Sequence, residues 1–129
     1  MIDFNYFLVQ WNPESLGYTK KTTFWNDFSY AEVEGVDDSH RGLKAVKDTY
    51  RRVFDEWKTN TEYVTELSLV LNHKCWFFYD VTRKAVAPKL KEYADQLSHL
   101  YCDLWHEIDN WCLDNLKGED VAYYIHTTD

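Results

Sequence analysis

Apolar residues recur at three- and four-residue intervals through much of the chain, the spacing that gathers them on one side of an α-helix. Leu43, Val46, Tyr50, Val53, Phe54 and Trp57 form one such stripe in a helix expected to end near Lys58, with Asp37, Asp38 and Ser39 as candidate caps. Thr59, Asn60 and Thr61 separate it from a second long pattern, about Glu62 to Tyr79, in which Leu67, Leu69, Val70, Leu71, Cys75, Trp76, Phe77 and Phe78 cover more than one face. A helix apolar on most sides is expected at the centre of a bundle. Asp80 to Ala87 breaks the pattern, and Pro88 can open the next helix because an amide hydrogen is not needed there. That helix is expected over about Pro88 to Asn115, with Leu90, Tyr93, Ala94, Leu97, Leu100, Tyr101, Leu104, Trp105, Ile108, Trp111, Cys112 and Leu116 on its apolar side. Gly118 is placed to supply a left-handed cap, and the tail EDVAYYIHTTD to add a short helical turn.

The first third reads differently. Residues 4–11, FNYFLVQW, suit a strand or an extended aromatic arm ended by Asn12 and Pro13. Thr22 or Thr23 caps a short helix that stops at Gly35. The fold expectation is therefore all-α: a single domain, 1–129, made of a small helical bundle of three principal helices, a short accessory helix and an aromatic N-terminal arm.

Charge and cysteine content narrow the function classes. A net charge of -8 disfavours general nucleic-acid binding, which draws its affinity from Lys and Arg at phosphates. Cys75, Cys102 and Cys112 show no CxxC spacing, so neither a disulfide framework nor a thiolate zinc site is indicated. No apolar run reaches 18 residues and the N-terminus has no signal-peptide pattern, so the expectation is a cytoplasmic protein without a membrane segment and without a cofactor.

Candidate chemistry is sparse. His99, Asp103 and His106 fall along one helix face at i, i+4 and i+7, a geometry that permits a metal ion or a proton relay. Asn72 and His73 lie inside the most apolar helix, where a buried polar side chain must find a partner. With His99, Asp103 and His106, His73 makes the alternative reading, a metal-binding or enzymatic bundle. Nothing supplies a nucleophile with recognisable spacing, so no catalytic residue is assigned.

The leading expectation is protein interaction without catalysis. Phe24, Trp25 and Phe28 are candidates for an exposed aromatic patch, because Trp and Tyr are enriched at interfaces and the first helix is peripheral. Residues 92–129 carry nine acids against one base, Lys117, while Arg41, Lys44, Lys47, Arg51, Arg52 and Lys58 concentrate in the first long helix. Glu107, Asp109, Asp114, Glu119 and Asp120 therefore define a second candidate docking surface, with DNA mimicry as one use of it. The basic helix packed against the acidic one is the competing structural explanation. Two blocks, ELSLVLNHKCW (66–76) and NLKGEDVAYYIHTTD (115–129), resemble a family of small bacterial and mobile-element proteins to which no activity is assigned. The resemblance implies an accessory role, of the kind carried by prophages, and brings no catalytic residues with it.

Overall fold

The computed structural model describes residues 39–128, and these form four helices and no strand: α1 Ser39–Trp57, α2 Thr61–Thr82, α3 Pro88–Asn115 and α4 Glu119–Thr128. The all-α expectation holds for these residues. The N-terminal arm, the short helix before Gly35 and the aromatic set Phe24, Trp25 and Phe28 lie outside the described residues, as does the Trp57 side chain.

The centre of the fold is the antiparallel pair of α2 and α3. Val64, Leu67, Leu71, Phe78 and Val81 line the inner side of α2 at three- and four-residue steps. They meet Ala94, Leu97, Tyr101, Leu104 and Ile108 of α3, all buried. The rings of Phe78 and Tyr101 stack with centroids 5.9 Å apart. Helix α1 adds Val46, Tyr50, Val53 and Phe54 to this core, and Phe54 meets Trp111 of α3 edge to face at 5.3 Å.

The helix ends follow local chemistry. Asn60 caps α2, its side-chain oxygen accepting from the amides of Glu62 at 3.1 Å and Tyr63 at 3.4 Å. That helix runs to Thr82, past the break expected after Tyr79, because Val81 continues the buried row and the Thr82 hydroxyl donates back to the Tyr79 carbonyl. Helix α3 begins at Pro88 and ends at Asn115, as its pattern predicts. Leu116 then turns extended while its amide still bonds to the Cys112 carbonyl at 2.9 Å.

Gly118 does adopt a left-handed conformation, with φ of 56°, but not as the cap of α3. It turns the chain into α4, whose Ala122 amide donates to the Gly118 carbonyl. The tail expected to add one turn is instead a helix of 10 residues, held by the fully buried Tyr124. Glu119 and Asp120 occupy its first turn, where negative charge complements the helix dipole.

Candidate functional site

Among the described residues, the outer side of α2 carries the most conspicuous surface feature. Leu69, Asn72, Trp76, Tyr79 and Arg83 follow one another at steps of three and four, giving a second row roughly opposite the core row. Leu69 and Asn72 are half-buried, whereas Trp76 is 60% and Tyr79 43% exposed. The rings of Trp76 and Tyr79 meet edge to face at 5.7 Å, and the Arg83 guanidinium lies 5.6 Å from the centre of the Tyr79 ring. These contacts leave both rings partly open to solvent. The same three- and four-residue spacing in the sequence was the signal for this row; it was absorbed into the reading of α2 as a helix covered on most sides.

The polar residues of α2 also differ from expectation. His73 is exposed and Asn72 only half-buried, so the expected buried polar pair is not formed. The buried charged residue of this helix is Lys74, which falls in the inner row between Leu71 and Phe78 and holds its ammonium 5.4 Å from the centre of the Tyr101 ring. Helical phase explains the change: one residue is 100° of rotation, enough to move a side chain from the core to solvent.

On α3, His99, Asp103 and His106 are all exposed. His99 lies 3.5 Å from Asp95 on the same helix, and the His106 ring rests 4.8 Å from the indole of Trp105. His99 and Asp103 both help to line a groove of about 580 Å³ between α1 and α3, with Lys47 and Arg51 on one wall and Glu107 on the other. Among the described residues, no group of three or more His, Cys, Asp or Glu side chains is arranged to hold a metal ion. A metal site needs donors that converge from more than one element, and the described residues bring none to His99, Asp103 and His106.

The acidic candidates divide. Glu107 is spent on an ion pair across the groove, 2.6 Å from Arg51, so the basic face of α1 and the acidic face of α3 meet there. Asp109 accepts a hydrogen bond of 2.6 Å from the hydroxyl of Tyr124, so one of its carboxylate oxygens serves the fold. Asp114, Glu119 and Asp120 remain exposed at the corner where α3 passes into α4.

Where α2, α3 and α4 meet, polar groups form a junction. The Tyr124 hydroxyl lies 3.0 Å from the Ser68 hydroxyl as well as beside Asp109, and the Cys112 thiol is also within hydrogen-bond reach of Tyr124. Burial raises the ionisation of the Tyr124 phenol far above its ordinary value, reinforced by its hydrogen bond to Asp109, and burial pushes the Cys112 thiol up to about 12. Through these hydrogen bonds the junction fastens α4 to the helix pair.

The chain matches no protein-family model, no curated protein and no solved structure. Among the described residues, no helix is long and apolar enough to cross a membrane.

Proposed function

We propose that this chain is a non-catalytic interaction protein, an accessory component that binds a partner protein through the outer row of α2. The observation that carries the proposal is Trp76, 60% exposed and supported by Tyr79 and Arg83. Trp, Tyr and Arg are the residue types that dominate binding energy at interfaces, and withdrawing the exposed part of Trp76 from water is worth roughly 3 kcal/mol. The partner this row suits presents an apolar recess with a polar rim. Its remaining contact surface is neutral or basic, to tolerate a chain of net charge -8. Asp114, Glu119 and Asp120 supply a separate acidic corner for such a partner. The resemblance of the terminal block to mobile-element proteins belongs to the same proposal, as does action in the cytoplasm.

The test compares tagged wild-type protein with a Trp76→Ala, Tyr79→Ala variant as bait in lysate of the encoding organism. Any protein recovered by wild type is then purified and titrated against both. A partner that binds wild type directly, and the folded double variant at least about 30-fold more weakly, supports the proposal. Equal affinity for the two baits, or no stoichiometric protein partner for wild type, overturns it.

A further inference from the structure

We propose that Cys75 and Cys102 are a modification site: an intrachain disulfide between them locks α2 to α3 when the protein meets an oxidant of the peroxide class. The two residues are far apart in sequence, but the fold places them side by side. Cys75 follows Leu67 and Leu71 at four-residue steps on α2, and Cys102 follows Ala94 and Ser98 at the same step on α3. Both rows line the contact between the helices. Ala94 and Ser98 are small and buried, and the Ser98 hydroxyl reaches across to donate to the main-chain carbonyl of Cys75 at 3.0 Å. A side chain as short as serine bonding to the opposite backbone means that the helices approach closely here.

One turn beyond Ser98, Cys102 neighbours Cys75 closely enough for the two thiols to influence each other's ionisation. A disulfide needs Cα atoms about 4.4–6.8 Å apart, a separation that small side chains at a helix contact permit. Both cysteines are half-buried and so within reach of a small oxidant, whereas Cys112 is fully enclosed.

The chemistry balances with hydrogen peroxide as oxidant. One thiolate attacks a peroxide oxygen; the O–O bond breaks, a sulfenic acid forms and hydroxide leaves to take up a proton as water. The second sulfur then displaces the sulfenic hydroxyl, forming the S–S bond and releasing a second water. Two thiols and one peroxide become one disulfide and two waters. Burial, together with the neighbouring Cys102, pushes the Cys75 thiol up to about 11. Thiolate is therefore scarce at pH 7, and closure is slow there and faster as pH rises, a behaviour suited to sustained oxidation rather than brief pulses.

The experiment treats the full chain with hydrogen peroxide at pH 7 and pH 9, quenches by alkylation under denaturing conditions, and maps the cysteines by peptide mass spectrometry. The expected product is a monomer lighter by two hydrogens, with the Cys75 and Cys102 peptides joined, Cys112 alkylated, and the link reversed by dithiothreitol. Formation should be at least about tenfold faster at pH 9 than at pH 7. Cys75→Ser and Cys102→Ser variants should instead accumulate oxygen on the remaining thiol. Three results overturn the proposal: both thiols still open to alkylation after prolonged treatment at pH 9, a link that involves Cys112, or a link only between two chains.

Discussion

Replacing Tyr124 by Phe removes one oxygen from a fully buried side chain and leaves its ring in place, so the change isolates what the polar junction contributes. The lost hydroxyl bonds to the Asp109 carboxylate at 2.6 Å and to the Ser68 hydroxyl at 3.0 Å. A hydrogen bond to a charged acceptor contributes about 1.5–3 kcal/mol and a neutral one about 1 kcal/mol. Asp109 is half-buried and regains some hydration in the variant, which returns part of that sum. The expected loss is therefore about 2–3 kcal/mol at pH 7, or roughly 8–12 °C in melting temperature for a chain of this size. Urea unfolding followed by far-UV circular dichroism reads the loss as a lower midpoint with an unchanged slope. A companion Asp109→Ala variant completes a double-mutant cycle, with an expected coupling of at least about 1 kcal/mol. A loss below about 0.5 kcal/mol, or strict additivity of the two changes, would refute the reasoning that this junction holds α4 in place.

Tyr50 gives the opposite expectation: its hydroxyl is buried without a hydrogen-bond partner among the described residues, so Tyr50→Phe should raise stability by about 1 kcal/mol in the same urea assay, and a loss of that size would contradict it. Asn60→Ala removes the cap of α2 and should cost about 1 kcal/mol, measured likewise, with Asn60→Gly costing less. Arg51→Ala breaks an exposed pair with Glu107; its cost should stay below about 1 kcal/mol and shrink further in a salt titration of the melting temperature. Alkaline pH should destabilise the fold. Cys112, Tyr50 and Tyr124 all ionise later when folded, so above about pH 9 for the thiol and pH 10 for the phenols the unfolded chain binds fewer protons than the native one. Each group then lowers stability by about 1.4 kcal/mol per pH unit until its raised folded value is passed. Urea midpoints that stay level or rise from pH 8 to 11 would show that these groups are not held neutral.

The periodicity of the chain by itself determined the three long helices α1, α2 and α3 and much of the core. Pro88 to Asn115 is the clearest case: its bounds follow from a proline suited to the first turn and an unbroken row of apolar residues, both local properties. The core positions Val46, Tyr50 and Val53 were legible for the same reason, since α1 has only one apolar stripe. Other features depended on the neighbours that each helix acquires. Helix α2 carries apolar rows on two sides, and spacing alone does not say which row another helix covers; the contact with α3 made Leu67, Leu71 and Phe78 core and left Trp76 and Tyr79 in solvent. The same contact took in Lys74 and turned out His73, although the two are adjacent in sequence. It was the arrival of α4 that converted Asp109 from a surface acid into the acceptor of a buried phenol. The neighbouring positions of Cys75 and Cys102 likewise follow from helix packing, which brings Ser98 to the Cys75 carbonyl one turn before Cys102. Periodicity specifies which side chains share a face, whereas the partner that buries a face, and the polar groups it brings along, are properties of the packed chain.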